Sequence, residues 1–274
     1  MQGQIWKQPL LLALLALFTV VNLAPIFWAM LISIKQPIDA FTPTLSLDFT
    51  PTLEFHWKVW TERGFLQYFL NSAFISVCTV LISLTCGTMA AYQLTRMPAS
   101  KSRPLLISIL GMRMFPHILL ALPFFVIAQT LNLIDTYPAM ILSFVAINQP
   151  FTIWLMRSFF AELPKEIYEA AAIDGCNPWQ TFVRVALPMV RPGLWVAALF
   201  SLLLAYNEFL FARVLSGPNT RTLPVAISEY GAEDLTYWSL SAAAAIGITL
   251  PIVIFMIMLQ KHLVRGLSMG AVKG

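Results

Sequence analysis

The residues with chemistry to offer are few and scattered. His56, His117 and His262 are far apart, none begins an H-E-x-x-H, and Cys78, Cys86 and Cys176 lack metal-ligand spacing or the pattern of a disulfide framework. The cysteines read as packing residues. Gly266-Leu267-Ser268-Met269-Gly270 matches G-x-S-x-G, but that nucleophile turn needs a strand before it and an acid and a histidine after it, and only four residues follow. No Gly-Lys pair occurs, so the chain has no phosphate-cradling P-loop, and any ATP that powers it is bound elsewhere. Two ionisable residues, Arg113 and Glu208, stand inside otherwise charge-free runs, Glu208 directly after Asn207. So placed, they either line a translocation path or pair across helices, or Glu208 snorkels to an interface while Arg113 bonds backbone carbonyls.

The elements that must carry these residues are membrane helices. Of 274 residues, 58% are hydrophobic and 11% charged, against about 25% charged in soluble proteins. Mean hydropathy is +0.75. A water-soluble enzyme is excluded, because there are too few charges to cover a solvated surface. The 18 prolines and 12 glycines fit membrane helices, whose neighbours re-satisfy freed backbone groups. Charge-free gaps define six spans near 10–34, 68–95, 105–129, 137–158, 192–212 and 240–262. The first is too long for a secretory signal and lacks a clean cleavage site, so it is read as a span.

Alternating the loops places eleven lysines and arginines on one side and five on the other, with Arg113 inside a span. The richer side is cytoplasmic, and both termini lie there. The net charge of +4 follows from this asymmetry and needs no nucleic acid.

The cytoplasmic stretch 160–190 is too polar for membrane and too ordered in its signals for a plain linker. Pro164 suits a first helical turn, Glu162 and Glu166 its positive end, and Gly175 the position just past its C-terminus. That predicts a helix of about ten residues, ending near Asp174. Asn177 then offers an N-cap and Pro178 a first turn for a second short helix, Trp179 to Val185, that stops before Pro188. Glu166, Glu169, Ala170 and Ile173 share one side of the first helix, and Ala170 to Ala172 add almost no bulk. Such a face fits a groove on a partner protein; the simpler alternative is a surface helix resting on headgroups.

The longer pattern resembles a known family. Glu169-Ala170-Ala171, three residues, Gly175, nine residues, then Val185-Ala186-Leu187-Pro188 is similar to the EAA loop of ABC importer permeases, E-A-A-x3-G-x9-I-x-L-P, with Val185 for isoleucine as its one departure. Asn71-Ser72, Met114-Phe115-Pro116, Tyr206-Asn207-Glu208-Phe209-Leu210 and the tail Gly270-Ala271-Val272-Lys273-Gly274 resemble the carbohydrate branch, specifically its maltose-permease G-type subunit.

The resemblance implies an all-α polytopic membrane protein with six transmembrane helices and a cytoplasmic EAA coupling-helix elbow, residues 1–274 forming a single transmembrane domain of the bacterial inner membrane. Its implied partners are a second homologous permease subunit, two nucleotide-binding ATPase subunits, an extracytoplasmic solute-binding protein and membrane lipid. No cofactor is expected on this chain, with ATP and Mg on the ATPase subunits. By the same analogy Glu166, Glu169, Ala170, Ala171, Ile173, Asp174 and Gly175 couple to the ATPase. The outer loop from Arg213 to Tyr237, with its Gly217-Pro218-Asn219 turn and Glu229, Glu233 and Asp234, would reach toward the binding protein, and the tail 266–274 would meet the ATPase pair. The alternative is an ion-coupled secondary carrier acting without an ATPase; a membrane enzyme ranks third.

Overall fold

The computed structural model describes residues 7–40, 48–62, 64–233 and 237–271. The elements are α1 (Lys7–Ser33), α2 (Pro37–Ala40), α3 (Glu54–Glu62), α4 (Phe65–Arg96), α5 (Ala99–Met114), α6 (His117–Thr130) and α7 (Tyr137–Ala161). An elbow follows, made of α8 (Lys165–Ile173), α9 (Pro178–Gln180), a π-helical turn (Thr181–Ala186) and α10 (Leu187–Met189). Then come α11 (Arg191–Tyr206), α12 (Leu210–Leu215), α13 (Leu223–Glu233) and α14 (Trp238–Ala271). Among the described residues four helices are long and apolar enough to cross a membrane, up to six spans if each of two bent pairs counts as one.

The chain divides into two compact units, residues 1–67 with 226–251, and 68–225 with 252–274. In the first, α1 carries its large apolar residues from Leu10 to Phe27 on the surface, as a helix solvated by lipid does. The core here is Phe55, Val59 and Phe65 with Leu240, Ala243 and Ala244 of α14. Trp60 meets Phe65 edge to face at 4.7 Å.

In the second unit α7 is the central post. Thr136 caps it by accepting the Ala139 N–H at 3.5 Å. One face of α7 joins Met140 and Phe144 to Ile75, Ala205, Phe211 and Leu215, and further along Met156 and Phe160 pack with Ala91, Tyr92, Phe182 and Ala197. The close approach of α11 to α7 depends on Gly193, where a Cβ would fall 2.4 Å from Cγ of Phe159. At an open helical site Gly→Ala stabilises by about 1 kcal/mol. Here the sign inverts: Gly193→Ala is expected to destabilise by about 1–3 kcal/mol through overpacking, read as a lower unfolding midpoint of the detergent-solubilised protein.

Two expected spans are broken. The run 105–129 is not one helix: α5 ends at Met114 and α6 starts at His117, with a 90° bend between them. Phe115 is extended (φ −64°, ψ 132°) because the residue before a proline is pushed out of the helical region, and Pro116 brings no N–H. The run 192–212 likewise ends as a helix at Tyr206 and resumes at Leu210, and α11 itself bends by 78° from the elbow. The stretch expected as an outer loop contains α13, with Leu223, Val225 and Ala226 buried. Asp234 lies outside the described residues, as do 272–274, while the rest of the tail continues α14 to Ala271.

Candidate functional site

The elbow is built by its capping residues. α8 starts one residue later than the proline signal suggests, with Pro164 as N-cap, and stops in a Schellman motif: the Gly175 N–H reaches the Ala172 carbonyl at 3.1 Å and the Cys176 N–H that of Ala171 at 3.0 Å. Gly175 adopts φ +76°, where a Cβ would be strained. Asn177 then closes a capping box with Gln180, each side chain accepting the other's backbone N–H at 2.8 and 3.0 Å. The second helix does not stop before Pro188. It widens into the π turn, where the Leu187 N–H reaches back to the Phe182 carbonyl, and a proline, with no N–H to place, then continues the helix to Met189.

Aromatic packing ties this elbow to the end of α4. Tyr92 meets Phe160, Phe182 and Tyr168 at 5.5, 4.9 and 6.2 Å, and Arg96 lies over the Tyr168 ring at 5.0 Å. Burial pushes the Tyr168 hydroxyl up, Tyr92 adds to the rise, and Arg96 opposes it. On the other face Glu166, Glu169, Ala170, Asp174 and Gly175 are exposed, with Ile173 87% exposed. Ala171 is 4% exposed and turned into the elbow itself.

A second constellation surrounds Asp135. Its carboxylate accepts five hydrogen bonds: from the Gly217, Asn219 and Thr220 amides at 2.9, 3.2 and 2.9 Å, and from the Asn219 and Thr220 side chains at 2.8 Å each. Burial alone would raise the Asp135 carboxyl, but these bonds outweigh it and hold it below the ordinary carboxylate value. The Asn71 amide donates to the carbonyls of Asn219 and Arg221 at 3.0 and 2.9 Å and accepts from the Tyr137 hydroxyl at 2.8 Å. Ser72 accepts the Leu223 N–H at 2.8 Å. The segment 216–223 is therefore clamped from α4 and the turn before α7, with Tyr137 of α7 holding Asn71 in place.

The third lies at the α5–α6 break. A cavity of roughly 300 Å³ is lined by Arg113, Phe115, His117, Phe124 and Pro150 among others. A smaller one, of roughly 40 Å³, is lined by Arg113, His117, Asn148 and Glu208. Arg113 lies over the Phe151 ring at 4.9 Å, and Glu208 accepts the Phe211 N–H at 3.1 Å, starting α12. The two thus reach one wall without an ion pair between them. Asn207 is exposed, donates back to the Leu203 carbonyl at 2.9 Å, and lines neither cavity. Among the described residues no group of three or more His, Cys, Asp or Glu could hold a metal.

Residues 83–269 match the family described as "Binding-protein-dependent transport system inner membrane component". The chain belongs to this family. It is 35% identical over 253 residues to the probable ABC transporter permease protein y4oR of Sinorhizobium fredii, covering 92% of this chain and 91% of the relative. It is 31% identical over 278 residues to the trehalose/maltose transport system permease protein MalG of Thermococcus litoralis, covering 100% of both. Its fold is similar to that of a bacterial ABC transporter involved in the import of the acidic polysaccharide alginate, with a TM-score of 0.75, 22% identity, and 95% and 98% of the two chains covered. The chain is thus a permease subunit of an ABC importer, all-α and polytopic, and the ion-coupled carrier alternative gives way.

For this permease, reading the sequence for ionisable groups found Arg113 and Glu208 but missed two neighbours. Asn148 is one uncharged polar residue in an apolar run, and His117 enters the sequence reading only as a candidate metal ligand. An amide in mid-span was the available signal. The anchoring role of Asp135 has no local signal in the sequence, since its partners lie 82–85 residues away.

Proposed function

We propose that this permease is the G-type subunit of a carbohydrate importer, pairing with a second homologous permease above two ATPase subunits and receiving its solute from an extracytoplasmic binding protein. The observation that carries this reading is the exposed face of α8, where Glu166, Glu169, Ala170 and the 87%-exposed Ile173 project from a doubly capped elbow. A short rigid helix with two carboxylates around an apolar tip is suited to transmit force from a basic groove, and ATP closure of the partners would move it. Asp174 and Gly175 form its tight exit; Ala171, buried on the inner face, sets how closely α8 lies on the elbow. Arg113 and Glu208 belong to the solute path. Asn207 would reach it only by releasing Leu203. Residues 1–274 act as one transmembrane domain, and no cofactor sits on this chain. The carbohydrate assignment draws support from relatives whose names specify trehalose/maltose and diacetylchitobiose.

The test is transport by the purified complex in proteoliposomes. Uptake that requires ATP and the binding protein is expected, whereas proton-driven uptake by this chain alone would overturn the reading. Orientation is checked separately, with both termini expected in the cytoplasm. A membrane-impermeant thiol reagent added outside cells should label Thr52→Cys and spare Ser100→Cys; the reverse pattern would invert the topology.

A further inference from the structure

Asn148 presents an unfilled hydrogen-bonding position in the middle of α7. It is 3% exposed, and its Nδ2 donates to the Ser201 carbonyl at 3.2 Å and to Ser201 Oγ at 2.6 Å. Because a carbonyl can only accept, this fixes the amide's orientation and leaves Oδ1 as the unused acceptor. Oδ1 is buried and has no partner. A buried acceptor without a donor is destabilising, more so in a low-dielectric interior, unless something transient supplies the donor. Asn148 lines the same small cavity as Arg113, His117 and Glu208, and Arg113 and His117 continue into the larger cavity with Phe115 and Phe124.

We propose that Asn148, His117, Arg113 and Glu208 form a subsite at the α5–α6 break that binds the hydroxyl groups of a neutral polyhydroxylated solute in transit. Hydroxyls both donate and accept, which matches this wall: Asn148 Oδ1 and the free lone pairs of Glu208 accept, Arg113 donates, and His117 does either. Phe115 and Phe124 supply flat apolar faces for the ring carbons between those hydroxyls, the usual division of labour in a small-molecule site. One arginine and one glutamate share the wall, so formal charges offset and an anionic cargo gains no net attraction. The inference rests on the carbohydrate-importer reading above and adds which residues touch the cargo.

The experiment uses the complete reconstituted complex with maltose, trehalose, N,N′-diacetylchitobiose and a uronate oligosaccharide as probes. Asn148→Leu keeps the volume and removes both polar atoms. His117→Phe keeps the ring that meets Phe211 edge-on at 6.2 Å but removes its nitrogens. Each is expected to raise the KM for uptake of a neutral probe about tenfold, with ATPase stimulation by the loaded binding protein unchanged. If Asn148→Leu fails to copurify with the ATPase, His117→Phe carries the test alone. Unchanged KM in a variant that assembles overturns the subsite and leaves the importer standing. Uptake of the uronate probe alone overturns the neutral assignment, and ATP-independence of wild-type uptake, or no uptake of any probe, overturns both readings.

Discussion

Glu169→Lys is expected to abolish ATP-driven uptake, by at least a hundredfold, in a protein that still inserts and folds. The Glu169 side chain is exposed on α8 and makes no hydrogen bond or ion pair among the described residues, so its replacement leaves the helix intact. Lysine propagates a helix about as well as glutamate. What changes is the sign of the charge presented to a partner. Truncating one member of a hydrogen-bonded interfacial charge pair costs about 2–5 kcal/mol, and reversal adds repulsion; 2.7 kcal/mol is already a hundredfold. The measurement is copurification of the ATPase subunits and their stimulation by the loaded binding protein, both expected to fall. Glu166→Lys, on the same face, should weaken the same readouts. Wild-type coupling in the Glu169 variant would reduce α8 to a surface helix. Ala171→Trp is a different experiment, because Ala171 packs inward, and its failure would report on the elbow's own fold.

The second large effect is at Asp135. Its backbone is left-handed, φ +58°, a region that asparagine also enters readily, so Asp135→Asn perturbs the side chain and little else. An amide keeps one acceptor but turns an NH2 toward donors that need the other, the Asn219 pair if Oδ2 is replaced. Bonds to a charged acceptor are worth about 1.5–3 kcal/mol before solvent weakens them. Hydrogen-exchange protection of Gly217, Asn219 and Thr220 is expected to fall at least tenfold, with transport falling alongside. The pH sign follows from the shift. The folded carboxyl sits below its ordinary value, so its contribution is complete above about pH 4 and is lost as pH falls through the folded pKa. In wild type protection at these amides should therefore be flat near neutrality and drop only in acid; in Asp135→Asn it should be low throughout, without the acid step. Equal protection in both proteins would remove Asp135 from the clamp.

How much of this could be read from residues alone depends on whether the signal was local. The fourth span, expected at 137–158, is α7 at Tyr137–Ala161, because a charge-free run with a Thr-x-Pro start marks itself. The ends of α8 and the cap of α9 were legible for the same reason: Pro164, Gly175 and Asn177-Pro178 are each a local instruction to the backbone. The break at Phe115-Pro116 was not, since Pro104, Pro123 and Pro150 sit inside continuous helices and nothing in the hydropathy separates them from Pro116. The π turn is equally hidden, since Pro188 reads locally as a helix stop. The clamp on 216–223 and the meeting of Asn148 with Glu208 are products of tertiary packing, which spacing along one chain does not encode.

The right-angled break also bears on how this membrane holds a voltage. Helices of 16 and 14 residues are about 24 and 21 Å long, each short of a hydrocarbon core of about 30 Å, and the roughly 300 Å³ beside their junction has room for about ten waters. Water admitted there from one aqueous face would carry the electrical potential inward, compressing the drop into the remaining thickness and steepening the field. An uncharged cargo crosses that field without electrical work, whereas each elementary charge moved through 100 mV exchanges about 2.3 kcal/mol. A span broken in this way therefore makes tight closure behind the cargo matter most for ions, which would be driven by the full voltage over a shortened barrier.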